Sequence, residues 1–529
     1  MKEGQRACCA AGGEASFKIV RTGWAPLVIS DTARETRRRV LLSLVALLLA
    51  GLFAGRQISS WPFRLRYPGE ICFIEGMRLA EMVHLREGVR IYDPAMPNRF
   101  DAAIYGPLYY LLGGRLIDPQ NPAYFPLRVL SMLATLGLAA ACALLAYWRS
   151  RSFIATLLAP LILLSSGFVT HYGLSGRADS LALLLVLAGV LVAYRFRESP
   201  ALLLSVPPML LGLFYKPQFV AGPLAILVFL ILQRRHHLAA VFAGSVALGG
   251  LGLLALFQFV VFPGQVFSRH LALYNFLPFT GAQFLGAIIV FGAILSVPVL
   301  VAFEFLRVHR NQFLFCYLSC AMVVALLAAG KEGSDSNYFI ECVLIASALF
   351  AALFVERLPE AARARELLVL LAVTVFANQF LTPLPPQPAD FARDAAVQGY
   401  LRRSFPHGTR ALGYYTGDLI RAGLETPISD LYQYAQLMRQ GTLADRDLVA
   451  SLEKHEFGVI ILTFDLQAGK DDGCLKRYLT ERLAKVIMEN YQLAGSLELP
   501  SPERFHPHDR FYAWVPPPGT LAAGRAAPR

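Results

Sequence analysis

Long apolar runs alternate with short polar segments through the first three quarters of the chain. A helix needs roughly 17–25 mostly apolar residues to cross a bilayer. The pattern therefore predicts about eleven spans, of which the fourth to sixth are short and bordered by prolines. They lie near residues 40–55, 126–147, 153–172, 179–194, 200–214, 217–232, 238–262, 282–305, 312–329, 337–355 and 366–382.

Composition agrees with this interpretation. Hydrophobic residues make up 56% of the 529 residues and charged residues only 16%, and the mean hydropathy is +0.49. Soluble domains carry about 25% charged residues. We therefore predict an α-helical polytopic membrane protein.

Clusters of arginine alternate with nearly neutral loops and set the predicted orientation. The clusters precede the first span and follow each even-numbered one, which places them in the cytoplasm by the positive-inside rule. Residues 1–39 then form a cytoplasmic tail, 40–384 the membrane domain, and 385–529 an extracytoplasmic domain. The net charge of +12 fits clusters that face anionic lipid. No basic stripe is interleaved with aromatics, which argues against nucleic-acid binding.

Two predicted outer segments are long enough to have structure of their own. In the loop 56–125, apolar spacing over 71–86 predicts a helix on the membrane surface. The apolar stretch 105–117 is too short to span and predicts an interfacial or re-entrant helix. The tail from 385 alternates helical patterns (392–404, 431–456, 475–489) with strand patterns (411–416, 457–462, 511–515). This alternation predicts a small α/β domain.

A carboxylate opens the long outer loop. Glu70 follows Tyr-Pro-Gly just before the predicted surface helix. Partial burial at an interface raises a carboxyl pKa and suits it to general-base work, but an acid here also favours a helix N-terminus. Glu75, Asp93 and Asp101 are secondary candidates in the same loop.

Charged residues also lie in two tight hairpins that connect predicted spans on the outer side. Arg177 and Asp179 lie between the third and fourth spans, and Lys216 lies between the fifth and sixth. The ordinary interpretations are an interface anchor for Arg177, a helix cap for Asp179 or Ser180, and snorkelling for Lys216. The alternative is a functional site, because such charges are costly at a membrane.

The segment between the ninth and tenth spans is densely polar. It contains Lys331, Asn337, Tyr338 and Glu341, and Glu341 lies within the apolar run, where burial of a carboxylate is costly. Even-numbered spans have outward N-termini, whose free N–H groups and dipoles attract anions. Together with the nearby cations, these helix ends predict a phosphate site.

At these residues the chain resembles the GT-C superfamily of polytopic membrane glycosyltransferases, near the dolichyl-phosphate-mannose and aminoarabinose transferase-like members of bacterial family 39 type. The resemblance covers roughly 40–529. Its motifs begin with Glu70, followed by Ala80, Gly88 and Tyr92. They continue with Tyr105-Gly106-Pro107-Leu108, Arg177-x-Asp179, Lys216-Pro217-Gln218 and Gly333-x-x-x-Asn337-Tyr338. Many members carry an Asp-Glu pair where this chain has Gly69-Glu70. This difference leaves open which residue is the base and whether a divalent cation is needed.

The resemblance implies transfer of a sugar from a polyprenyl-phosphate donor to an acceptor outside a bacterial inner membrane. Glu70 would be the base, and Arg177, Lys216 and Lys331 would bind the donor phosphate. Tyr105, Asp179, Asn337, Tyr338 and Glu341 would contact substrate, and Asp179 or Glu341 would help bind any metal. The acceptor, whether lipid, glycan or protein, stays open. The alternatives are a transporter or lipid flippase, and a non-catalytic membrane assembly subunit.

Overall fold

The computed structural model of the chain is predominantly helical. It describes residues 31–93, 99–275, 277–290, 292, 296–309, 311–380, 384–467, 478–498 and 510–519. The first ten helices are α1 (Asp31–Ser59), α2 (Trp61–Arg66), α3 (Ile74–Arg86), α4 (Pro107–Leu116), α5 (Phe125–Ser150), α6 (Phe153–Ser165), α7 (Gly167–Gly173), α8 (Asp179–Arg195), α9 (Val206–Tyr215) and α10 (Ala221–Leu232).

The later helices include the last of the apolar ones and those of the C-terminal part. They are α11 (His236–Ala255), α12 (Phe267–Arg269), α13 (Gly281–Val290), α14 (Ser296–His309), α15 (Gln312–Ala329), α16 (Ile340–Arg357), α17 (Ala361–Phe380), α18 (Pro388–Ser404), α19 (Thr416–Arg421), α20 (Leu431–Arg439), α21 (Arg446–Glu453) and α22 (Glu481–Asn490). The strands are β1 (Ala411–Gly413), β2 (Val459–Leu462), β3 (Gln492–Glu498) and β4 (Arg510–Val515).

Several helices have the length and composition of membrane spans. Within the described ranges, five helical stretches qualify on their own: Ala33–Arg66, Phe125–Ser150, His236–Val261, Gln312–Ala329 and Ser336–Arg357. The predicted span 153–172 is the pair α6 and α7, bent by 76°. Shorter apolar helices occupy the predicted spans at 200–214 and 217–232. A multi-pass membrane protein is therefore supported, and the count of eleven stays a prediction.

Polar contacts join loops that were predicted on the same side of the membrane. At one end, Lys331 bonds Asn275 and Tyr172 bonds Ser336. At the other end, Asn311 bonds Tyr194. These contacts are those expected if successive spans alternate in direction. We call the first end the loop end, because it carries the first long loop.

Small residues allow the apolar helices to approach closely. A Cβ built on Gly212 of α9 would lie 2.8 Å from the Ala182 carbonyl of α8, and one on Gly189 of α8 would lie 2.7 Å from the Ser205 carbonyl. Side chains here would push the helices apart. Such close backbone contacts replace the hydrophobic driving force that is absent between helices in lipid.

The predicted surface helix at 71–86 is present as α3, but it is buried rather than exposed. Every residue from Glu75 to His84 is buried. The charges are accommodated in ion pairs: Glu75 with Arg128 at 2.7 Å, Arg78 with Glu81 at 2.6 Å, and His84 with Asp101 at 2.8 Å. The pattern of apolar residues predicted the helix, but not the layers that cover its polar face.

The C-terminal part contains a four-stranded sheet in the order β1-β2-β4-β3. β1 and β2 are parallel, and β4 is antiparallel to both of its neighbours. Sequence patterns identified β1, β2 and β4, whereas β3 was missed because its residues alternate between exposed and half-buried. The predicted helix 431–456 is two helices, separated by a turn in which Gly441 has φ +70°, a conformation that favours glycine.

Two hydrophobic clusters underlie these two parts. One runs through the apolar helices and α3, and the other lies around the sheet. The parts are joined by Phe100 and Ala102 of the first loop, which belong to the second cluster, and by polar contacts such as the ion pair between Arg78 of α3 and Asp430 at 2.8 Å. The first loop is therefore packed between the helical bundle and the sheet.

Candidate functional site

A cavity of about 640 Å³ lies at the loop end, between the first loop, the later loops and the C-terminal part. Its charged residues are two cations and three acids: Arg177, Lys331, Glu332, Asp335 and Asp430. The other lining residues are Cys72, Phe73, Ile74, Met77, Ile104, Asn275, Leu277, Thr280, Ala282, Gln283, Gly333, Ser334, Tyr432, Gln433 and Tyr478. Residues from distant parts of the chain thus form one polar and aromatic space.

Asp179 is the hub of a buried network beside this cavity. Its carboxylate accepts hydrogen bonds from Arg177 Nε at 3.0 Å, Lys216 Nζ at 2.6 Å and Asn337 Nδ2 at 2.6 Å. The Asp179 side chain does not cap α8, so that interpretation was wrong. Ser180 bonds Thr135 instead. Three segments predicted to meet at the outer face do meet, through one carboxylate.

The charges of this network do not cancel. Arg177 and Lys216 share the single carboxylate of Asp179, which leaves one net positive charge. Arg177 also donates to Cys72 Sγ at 3.2 Å, lies over the Tyr172 ring, and lines the cavity. Lys216 is not among the lining residues; it lies 5.0 Å from the centroid of the Tyr105 ring. The two predicted phosphate ligands are therefore placed differently.

Lys331 contributes a second cation to the cavity. Its Nζ donates to Asn275 Oδ1 at 2.9 Å and to the Asn275 carbonyl at 3.1 Å. Burial lowers the pKa of its ammonium to about 8, because the charged form loses hydration. Because both of these partner oxygens belong to the neutral Asn275, no counter-charge offsets the protonated Lys331 ammonium in these bonds. Its positive charge is therefore available to a ligand.

Asp335 is an acid on the cavity wall that was absent from the predicted site residues. Burial favours its neutral form, but the Tyr172 hydroxyl and the Arg177 charge outweigh that effect and hold its pKa below the usual value. It therefore carries a negative charge at neutral pH. Its presence in the polar segment 331–341 was a signal, but nothing in the sequence showed its proximity to Arg177.

Glu70 lies apart from the cavity lining. It is 3% exposed, and its Oε1 has no hydrogen-bond partner. A Cβ on Gly76 or on Gly417 would collide with this oxygen, so only glycine leaves room for it on both sides. Burial, followed by the charges of Asp418 and Glu75, raises the pKa of Glu70 well above its ordinary value. The predicted base is thus a desolvated carboxyl enclosed between α3 and α19.

The remaining predicted residues are distributed around the hub. Tyr105 is buried, with the Arg78 guanidinium 5.5 Å from its ring centroid. Asn337 lies in the network, and the adjacent Tyr338 is half-buried. Glu341 is buried in α16 with Oε1 unpartnered, away from the cavity lining.

The secondary candidates in the first loop have structural partners. Glu75 accepts from Arg128 and from the Gly176 N–H, and Asp101 bonds His84. Asp93 pairs with Arg90. Glu75 is fully buried and tied to the segment before α8, so it helps to fix α3 against the bundle.

The side chains offer little support for a metal centre. Within the described ranges, no three His, Cys, Asp or Glu side chains come close enough to hold an ion. Asp179 already accepts hydrogen bonds from two cations and an amide. The carboxylates of Asp179 and Glu341 therefore do not fit a divalent cation.

The fold is similar to that of a solved membrane protein. ArnT from Cupriavidus metallidurans bound to undecaprenyl phosphate superposes with a TM-score of 0.52 at 13% identity, covering 90% of this chain and 99% of that one. Its apo form gives 0.51 at 11% identity, covering 88% and 97%. No protein-family model matches the chain, and no curated protein matches its sequence. The chain therefore has an ArnT-like fold.

Proposed function

We propose that this protein is a membrane glycosyltransferase that moves a sugar from a polyprenyl-phosphate donor to an acceptor at the extracytoplasmic face. The main support is the ArnT-like fold over nine tenths of the chain, in a neighbour whose structure contains undecaprenyl phosphate. In this proposal, residues 1–39 are cytoplasmic, 40–384 form the membrane domain, and 385–529 lie outside. Sugar transfer would then take place in the loop-end cavity.

Cations of the cavity would bind the donor phosphate. Arg177 and Lys331 both line it, and the Asp179 network keeps a net positive charge beside it. Arg offers several N–H donors in a planar fork, and Lys supplies a compact charge. Both would stabilise the negative charge that develops on the phosphate as the sugar leaves. Lys216 would act through Asp179, by keeping that carboxylate charged and oriented.

The floor of the donor site would be formed by four residues in and around the network: Asp179, Asn337, Tyr105 and Tyr338. Asp179 holds Arg177 in position, and Asn337 fixes the Asp179 carboxylate. On the other wall, Phe73, Tyr432 and Tyr478 present aromatic surface, which suits the apolar face of a sugar ring. Glu341 is a buried carboxylate that does not line the cavity.

A carboxylate would accept the proton of the acceptor. Glu70 is the proposed base because burial raises its pKa, which makes the carboxylate a stronger base. Its enclosure requires α3 or α19 to shift before the acceptor reaches it. Asp335 is the second candidate, because it lines the cavity next to Arg177.

Activity of the purified full chain tests the proposal. A panel of undecaprenyl-phosphate sugars would be incubated with lipid, glycan and protein acceptor fractions, and sugar transfer would be followed by mass spectrometry. Arg177→Gln and Lys331→Gln should each reduce transfer by at least about tenfold, because each removes a charge from the phosphate site. Lys485→Gln removes an equally positive but exposed residue and should have no effect.

The two candidate bases are separated in the same assay. Glu70→Gln should abolish transfer and leave donor binding intact if Glu70 is the base, and Asp335→Asn should do so if Asp335 is. Full transfer in both variants would refute the carboxylate mechanism. Transmembrane movement of the intact lipid donor without sugar transfer would instead favour a flippase, and absence of both activities would favour an assembly subunit.

A further inference from the structure

A second polar cavity lies at the end of the bundle opposite the loop end. It has a volume of about 560 Å³, and we call it the opposite-end cavity. Helices α5, α8, α10 and α14 end at or near it, and α15 begins there. Its walls come from the segments whose arginines set the predicted orientation. None of its lining residues belongs to the loop-end cavity.

The opposite-end cavity is positively charged. Its lining includes Arg149, Arg197, Arg235 and His309, against a single acid, Glu198. Glu198 pairs with Arg197 at 3.6 Å, but its side chain is 86% exposed, so water screens this contact. Three guanidinium groups therefore line the cavity against one exposed carboxylate, which pairs with Arg197.

Hydrogen bonds to backbone carbonyls near helix ends explain the positions of some of these arginines, but not of all three. Arg197 donates to the Tyr194 carbonyl at 3.0 Å, and Arg235 donates to the Glu198 carbonyl at 3.1 Å. These bonds satisfy backbone groups at the end of α8, as expected for cations at helix C-termini. Arg149 is different, because its Nε is buried and has no hydrogen-bond partner. A buried donor without a protein partner is costly, so an anionic acceptor at this position would be stabilised.

The rest of the lining combines aromatic and amide groups. Trp148, Tyr194 and Phe313 form a stacked and tilted aromatic wall. The side chains of Gln233 and Gln312 bond each other, and both residues are exposed. An apolar wall beside cations suits a ligand that carries an anionic group next to an apolar body.

We propose that the opposite-end cavity binds a phosphate-bearing anion, held by Arg149 together with Arg197 and Arg235. Basic pockets between membrane helices on the cytoplasmic side bind anionic headgroups, and this end is the predicted cytoplasmic one. The phosphate of an anionic phospholipid and a free phosphate share the same chemistry. Arg149 is the ligand whose hydrogen bonding is incomplete in the protein alone.

Lipid binding to the purified full chain tests this site, with native mass spectrometry as the readout. Phosphatidylglycerol should bind at least about tenfold more tightly than phosphatidylcholine, and Arg149→Gln should remove most of that preference. Arg149→Lys keeps the charge and should retain part of it. Arg195→Gln is the control, because Arg195 also ends α8 but is exposed and lies outside the lining.

Competition distinguishes the two sources of phosphate. Displacement of phosphatidylglycerol by inorganic phosphate in the parent protein would support the site, with a free anion as its ligand. Selective lipid binding that resists inorganic phosphate would support it with a lipid as its ligand. Equal affinity for both lipids would overturn the proposal, as would an equal loss in the Arg149→Gln and Arg195→Gln variants.

Discussion

Replacement of Asp179 by Asn should destabilise the protein strongly. The carboxylate is fully buried and pairs with both Arg177 and Lys216, whose side chains are only 9% and 7% exposed. The amide keeps the shape of the side chain but removes its charge. Two buried cations then lose their shared counter-charge. Removing one partner of a buried ion pair costs about 3–5 kcal/mol.

This free energy converts into a measurable change in melting temperature. With an unfolding entropy of about 2.1 cal/mol/K per residue, a chain of 529 residues loses about 3–5 °C for that cost. Thermal unfolding of the purified protein in detergent, followed by intrinsic fluorescence, measures the shift. Glu489→Gln is the matched control, because it breaks an exposed pair with Lys485 at 3.7 Å. Its expected effect is at most about 1 kcal/mol.

A second substitution separates charge from packing. Lys216→Met in the Asp179→Asn background removes one of the two unpaired cations, so part of the lost stability should return. An Asp179→Asn protein that melts within about 1 °C of the parent would refute the role of Asp179 as the counter-charge shared by Arg177 and Lys216. So would an equal loss in the Glu489→Gln control.

Three further predictions concern the cavity and the contact between the first loop and the C-terminal part. Because burial lowers the pKa of Lys331 to about 8, binding of undecaprenyl phosphate should be tightest below pH 8 and weaken above it, and Lys331→Arg should remove this dependence in a binding titration. Gly417→Ala places a Cβ against a tyrosine hydroxyl and a carboxylate, whereas a Cβ on Gly495 meets nothing within 4 Å; only the first variant should lower the melting temperature. Asp430→Asn breaks the 2.8 Å ion pair with Arg78 and should accelerate proteolysis of the C-terminal part, and an unchanged cleavage rate would contradict its role in docking.

Local patterns in the chain were sufficient for many of its helices and for which loops lie at the same end of the bundle. The period and length of the apolar runs predicted α5, α8, α15 and α16 within a few residues, because burial in lipid imposes one requirement on every residue of a span. Arginine placement predicted which loops meet, and the contacts at both ends agree with it. The ArnT-like fold is consistent with the predicted superfamily.

Tertiary structure decided the chemistry of individual charges. Nothing in the sequence distinguished Lys216, which pairs with Asp179, from Lys331, which keeps neutral partners and lines the cavity. Glu70 was predicted at the membrane interface, partly desolvated, yet packing against Gly76 and Gly417 encloses it. The reason is physical: the energy of a charge depends on its distances to other groups and on its hydration. Residues far apart in sequence set both quantities, so they exist only once the chain is folded.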